Sequence, residues 1–228
     1  MVQQSVISDQ DKAQLKRTLR KDLKASVTLR LFTRKPTALT IPGRECPYCP
    51  QTQQLVEELA ALSPKLNLET YDFYDQPEEA RQQGVARIPA ILLGTESPPR
   101  VKFYGIPLGY LMASLIEDIK TISRGVSPLR TDSRRKLRQL NQPVHLQVLV
   151  TPNDVPSAGM ARLAHALAIE SPQVSADVIE VQEFPALSQQ YAARSVPLTI
   201  INEYVRLPGP VAEPDLVDKI LEIGVRSG

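Results

Sequence analysis

A chain of 228 residues that is 42% hydrophobic and 23% charged has a globular composition and room for one large domain or two small ones. A formal net charge of +2, with no basic block interleaved with aromatics, argues against nucleic acid as a partner. No apolar run is long enough for a bilayer span, and Met1 is followed by Gln, Ser and Asp rather than a basic then apolar leader, so a cytoplasmic protein without membrane association is expected.

The first expected element is a charged, Leu-spaced helix over residues 9–23, with Asp9 as a plausible N-cap. Its Lys16-Arg17 and Arg20-Lys21 pairs fit a solvated helix face. A β-branched, apolar strand follows over 27–32, and then Cys46-Pro47-Tyr48-Cys49, which holds the only two cysteines of the chain. Two thiols cannot build a disulfide framework or a four-coordinate zinc site, and both histidines, His145 and His165, fall in the other half of the chain. No metal or cofactor is expected. What remains is a vicinal pair able to open and close its own disulfide, placed before an amphipathic helix over 51–62. Unpaired N–H groups and the positive end of the helix dipole favour thiolate at such a position. A strand over 68–74, a short helix over 78–83, strands over 89–93 and 101–104 and a closing helix over 108–123 complete the first half.

The second half repeats the first. Ser63-Pro64 recurs as Ser171-Pro172, and Ile88-Pro89 as Val196-Pro197, both at an offset of 108. A period of that size means duplicated domains rather than a solenoid. The same offset carries Cys46 onto Asp154 and Cys49 onto Ser157, so only one copy has thiols. Leu31-Phe32-Thr33 matches Leu149-Val150-Thr151 only if the first copy carries an insertion of about ten residues, Pro36 to Glu45. The second set of elements is a helix over 131–140 with Thr131 as N-cap, a strand over 144–150, a helix over 158–169, a strand over 174–181, a helix over 185–193, strands over 197–201 and 204–207, and a helix over 213–223. The order α-β-α-β-α-β-β-α predicts a mixed sheet, parallel at the start and a hairpin at the end, with helices on both faces. The boundary is expected at Gly125-Val126-Ser127-Pro128, giving units 1–125 and 126–228.

A CPYC loop opening a helix, with an Xaa-Pro about forty residues later at the start of a strand, resembles the thioredoxin superfamily, and CPYC is the variant typical of glutaredoxins. Two such units in tandem, each with an extra leading helix, are similar to the protein disulfide oxidoreductases of archaea and thermophilic bacteria. The segment from Val101 to Gly109, Glu117-Asp118-Ile119 and Thr151-Pro152 add detail to that resemblance. It implies two tandem thioredoxin-fold units in the α/β class, each with a mixed four-stranded sheet flanked by helices. Similar proteins usually carry CxxC in both units. The Asp154-Val155-Pro156-Ser157 segment departs from that pattern and sets a two-site mechanism aside.

Thiol–disulfide exchange needs an exposed thiolate, a second thiol to resolve the mixed disulfide and a surface for the substrate backbone. Cys46, outside the first helical turn, is the expected nucleophile, and Cys49, one turn further in, the resolving thiol. Pro47, with fixed φ and no N–H, suits the first helical position. Tyr48 either contacts substrate or shields one side of the loop. A cis Ile88–Pro89 bond, favoured by the repeat and the resemblance over an ordinary trans turn, would leave backbone groups free to pair with an extended substrate segment. Glu45 opposes the Cys46 thiolate, Arg44 favours it, and Arg87 is a candidate thiolate stabiliser. In the degenerate second site, Asp154, Ser157 and Pro197 have no base beside them: His145 starts a strand and His165 lies along a helix.

The expected activity is therefore exchange of disulfides with proteins, sustained by a thiol reductant such as glutathione or a thioredoxin-reductase-like flavoprotein. The competing readings are a dedicated electron relay to a peroxidase and a non-catalytic binding or scaffold module. Loss of the second thiol pair favours the last, and the intact CPYC opposes it.

Overall fold

The computed structural model describes residues 5–35, 42–94 and 96–225. Most of the expected insertion, residues 36–41, therefore lies outside the described residues. The chain runs α1 (Asp9–Asp22), β1 (Val27–Thr33), α2 (Cys49–Ala60), β2 (Leu66–Asp72), α3 (Pro77–Gln82), β3 (Ala90–Leu93), β4 (Val101–Tyr104) and α4 (Tyr110–Arg124). It then repeats the plan as α5 (Thr131–Leu137), β5 (Val144–Val150), α6 (Val155–Glu170), β6 (Val174–Glu180), α7 (Pro185–Gln190), β7 (Leu198–Ile201), β8 (Val205–Pro208) and α8 (Glu213–Gly224).

Each unit builds the expected mixed four-stranded sheet, and the two sheets fuse. In the first, β1 pairs parallel with β2 and antiparallel with β3, and β3 pairs antiparallel with β4. The second repeats this with β5, β6, β7 and β8. A parallel β4–β6 ladder, Val101 opposite Ala176 through Tyr104 opposite Ile179, joins them in the order β2-β1-β3-β4-β6-β5-β7-β8. Pairing these two edges removes unpaired backbone groups that each half-sheet would otherwise present.

Alternation along the strands divides the interior into two layers. Val27, Leu29 and Leu31 join the larger apolar cluster, which α1, α2, α4, α5, α6 and α8 cover. Phe32 turns to the opposite face, where Ala80 of α3 and Leu187 of α7 contribute to a smaller cluster with Tyr104 and Tyr191. The internal repeat extends to single hydrogen bonds. Ser63 Oγ accepts from the Lys65 N–H and Ser171 Oγ from the Gln173 N–H, both at 3.3 Å. No helix among the described residues is long and apolar enough to cross a membrane.

Several boundaries differ from the sequence reading for local reasons. Ser8, not Asp9, caps α1: its hydroxyl accepts from the Asp11 N–H at 3.1 Å. Thr131 is the first helical residue of α5 rather than its cap, and the preceding Arg130 N–H is satisfied by Glu213 of α8. The α2 helix starts at Cys49 rather than residue 51. Pro50 sits in its first turn, so Pro47 belongs to the preceding turn and not to the helix.

Candidate active site

Cys46 and Cys49 form a disulfide, with Cα atoms 5.3 Å apart, where β1 hands the chain to α2. The Cys49 N–H donates to the Cys46 carbonyl at 3.2 Å, and the Thr52 N–H and hydroxyl both donate to the Tyr48 carbonyl at 2.8 Å. These bonds tighten the loop into the helix start. Cys49 is 1% exposed and Cys46 half-buried, while Pro47 and Tyr48 are exposed. The pair is thus asymmetric: Cys49 is buried and Cys46 partly exposed.

The charged neighbours each have a partner. The Arg44 guanidinium lies 4.7 Å from the Tyr74 ring centre, and Glu45 accepts from the Gly43 N–H at 2.9 Å. Arg87 places its guanidinium 5.1 Å from the Tyr104 ring and 5.9 Å from that of Phe184, in the second unit. Ile88–Pro89 is cis, as is Val196–Pro197. The Ile88 backbone makes no hydrogen bond among the described residues, and the Pro89 carbonyl accepts from the Gly105 N–H at 2.9 Å.

At the second-unit positions matched to the cysteines, Asp154 caps α6. Asp154 Oδ2 accepts from the Ser157 N–H at 2.7 Å, and the fully buried Ser157 hydroxyl accepts from the Thr151 N–H at 3.4 Å. The first unit closes over this loop, since the Tyr110 N–H donates to the Pro152 carbonyl at 3.0 Å. A Cβ at Gly109 would stand 2.7 Å from that carbonyl, so this close approach requires glycine. Asp154→Ala is expected to destabilise the protein by about 0.5–2 kcal/mol, read as a lowered urea midpoint.

Neither histidine serves this site. His145 pairs with Asp177 at 3.0 Å, and fully buried His165 lies 2.6 Å from Asp118 Oδ2 and 3.1 Å from the Lys102 carbonyl.

Two carboxylates that the sequence reading passed over lie where the units meet. Glu180 ends β6 almost fully buried, and Glu183 follows in the turn before α7. Glu183 Oε1 accepts from the Ile106 N–H at 2.6 Å, and Glu180 Oε2 from the Glu183 N–H at 2.8 Å. The other carboxylate oxygens, Glu180 Oε1 and Glu183 Oε2, are buried without a hydrogen-bond partner. Burial, with a smaller push from Glu180 and against the pull of the Ile106 N–H, raises Glu183 to about 7. The repeat offset was the available signal, because it places Glu180 and Glu183 on Asp72 and Asp75. A carboxyl whose value is raised by folding stabilises fully below its ordinary value near 4.5 and loses that contribution as pH rises through about 7. Wild-type urea midpoints should fall across this window, and Glu183→Gln should flatten the fall.

The thioredoxin domain family profile matches residues 37–117 and 145–222. The chain belongs to the thioredoxin domain family. Thioredoxin of Methanocaldococcus jannaschii is 30% identical over 76 residues, which cover 33% of this chain and 81% of that protein. The fold is similar to that of a protein disulfide oxidoreductase from Aeropyrum pernix K1, with TM-score 0.85, 24% identity and 96% of each chain covered. It is also similar to the alkylhydroperoxide reductase AhpF of Enterococcus faecalis, with TM-score 0.80, 20% identity, and 93% of this chain and 98% of that one covered. In a chain of two tandem thioredoxin-like units, the disulfide-bonded Cys46–Cys49 pair fits a CxxC site of the disulfide oxidoreductase kind.

Proposed function

We infer that this protein is a thiol–disulfide oxidoreductase that reduces protein disulfides through the single Cys46–Cys49 site. The observation that carries the reading is the asymmetry of the pair, half-buried Cys46 against Cys49 at 1% exposure, at the start of a helix. In the reduced protein the Cys46 thiolate attacks a substrate sulfur. A Cys46–substrate disulfide forms, the substrate S–S bond breaks, and the departing sulfur takes a proton. Cys49 then attacks Cys46 Sγ, which releases the second substrate thiol and leaves the intramolecular disulfide. Two electrons have passed to the substrate, and a thiol reductant, glutathione or a flavoprotein resembling thioredoxin reductase, returns them.

The free Ile88 backbone beside Pro89 supports pairing with an extended substrate segment, and Pro47 and Tyr48, exposed in the loop between the two cysteines, are offered as further substrate contacts. Arg87 stays a candidate stabiliser of the Cys46 thiolate, and its guanidinium contacts to the Tyr104 and Phe184 rings hold the segment leading to Pro89. The degenerate site at Asp154, Ser157 and Pro197 has a structural role, supported by the helix cap and the overlying Gly109–Tyr110 backbone. The units divide at residues 125 and 126, supported by left-handed Gly125, which ends α4. A cytoplasmic setting suits a pair that must cycle rather than stay oxidised.

Dithiothreitol-driven insulin reduction tests the reading. Wild type should accelerate turbidity well above dithiothreitol alone, and Cys46→Ser should not. Equal rates for the two proteins would remove the thiol–disulfide reading.

A further inference from the structure

We propose that the second unit positions the substrate-docking proline of the first, through Glu183 and Phe184 in the turn between β6 and α7. The inference rests on the thiol–disulfide reading above and supplies a reason for keeping a unit that has lost its thiols.

The Pro89 segment is held from both flanks by that turn. On one side the Pro89 carbonyl accepts from the Gly105 N–H at 2.9 Å, and the next N–H, that of Ile106, donates to Glu183 Oε1 at 2.6 Å. Gly105 has φ +95°, and a Cβ there would stand 2.8 Å from Glu180 Cβ and 2.9 Å from Glu183 Oε1. The loop after β4 is therefore seated directly on the second unit, with no room for a side chain between them. On the other side Arg87, two residues before Pro89, has its guanidinium near the rings of Tyr104 and Phe184. Adjacent residues of one turn thus reach both ends of the docking segment.

The repeat provides an internal control. The Gly209 N–H donates to the Pro197 carbonyl at 2.8 Å, as Gly105 does to Pro89. A Cβ at Gly209 would meet nothing within 4 Å, because β8 is the outer edge of the sheet. In the first unit the counterpart of Glu183 is Asp75, an exposed residue paired with Lys35 at 3.1 Å. The clamp is thus peculiar to the junction and is not a standing feature of the repeated unit. Its energetic logic is preorganisation: a substrate strand meets a docking segment already fixed in place, and less ordering cost falls on binding.

The test compares wild type, Glu183→Ala, Glu183→Gln and Phe184→Ala in insulin reduction, with iodoacetamide alkylation of reduced Cys46 and thermal unfolding alongside. Alkylation reads the thiolate without a docked peptide. Glu183→Ala and Phe184→Ala should each raise the insulin KM at least threefold, while kcat and the alkylation rate stay within twofold. Glu183→Gln, whose amide oxygen still accepts from Ile106, should bring KM back toward wild type. A merely structural role would lower Tm in the alanine variants without this split between KM and kcat. If Glu183→Ala fails to fold, Phe184→Leu, which keeps the apolar volume but removes the ring facing Arg87, must show the KM rise. Unchanged KM in the folded variants, or alkylation falling in step with turnover, would overturn the positioning role while wild type still reduces insulin. Wild type no better than Cys46→Ser would instead overturn the thiol–disulfide reading, and the docking role with it.

Discussion

Cys49→Ser is expected to complete the first half of disulfide exchange and stop there. Cys46 remains able to attack, so mixed disulfides with substrate should accumulate, visible as dithiothreitol-sensitive bands on non-reducing gels and as adduct masses. Turnover should fall to the level of dithiothreitol alone, because the only other thiol of the chain has gone. Cys46→Ser should show neither turnover nor adducts, since Cys49 at 1% exposure is shielded from a protein substrate. The direction of the asymmetry is the informative result. Adducts in Cys46→Ser and none in Cys49→Ser would reverse the two roles.

Asp118→Ala should produce the largest loss of stability, about 3–5 kcal/mol, because it strands a buried partner rather than trimming a surface contact. Asp118 on α4 and His165 on α6 are almost fully buried where the two units pack. A carbonyl can only accept, so Nε2 donates to Lys102 and Nδ1 faces the carboxylate at 2.6 Å. Burial opposes charge on His165, yet the Asp118 carboxylate outweighs it and lifts the imidazole above its ordinary 6.5. Burial also lifts the Asp118 carboxyl, against the pull of His165. A group raised by folding contributes fully below its ordinary value and loses that contribution as pH rises through the raised one. The difference in urea-unfolding free energy between wild type and Asp118→Ala should therefore be widest below pH 6.5 and narrow above it. Replacing both residues, Asp118→Val with His165→Leu, should recover most of the loss, since neither charge is then stranded. A single variant within 1 kcal/mol of wild type would show that the pair carries no such weight.

Much of this molecule is legible in its sequence. The alternation of Val27, Leu29 and Leu31 marks the strand, because a side chain points to one face at every second residue. The offset of 108 residues found the second unit and matched Ser63 and Pro89 with Ser171 and Pro197, which make equivalent hydrogen bonds in the fold. Helix ends were less legible. Ser8 and Asp9 are both good caps by residue type, and only backbone geometry selects between them.

The second-unit loop was legible in part. Asp154 and Ser157 stand where the repeat offset carries the two cysteines, and neither supports thiol exchange, but residue types alone did not reveal that Asp154 caps α6 or that the Tyr110 N–H donates to the Pro152 carbonyl.

By itself the sequence determined the two tandem units, the single pair of thiols and the prolines that accompany each site. These depend on local periodicity, on a repeat and on residue chemistry, all of which the chain carries in order. Only the tertiary structure decided that β4 pairs with β6, fusing two sheets into one, and that Glu183 meets the Ile106 N–H while the Phe184 ring lies near the Arg87 guanidinium. The reason is physical. Asp75 and Glu183 hold equivalent positions in the repeat, yet one is exposed and paired with Lys35 while burial raises the other to about 7. What separates them is the backbone of the other unit lying across one and not the other, a contact between residues more than seventy positions apart in the chain.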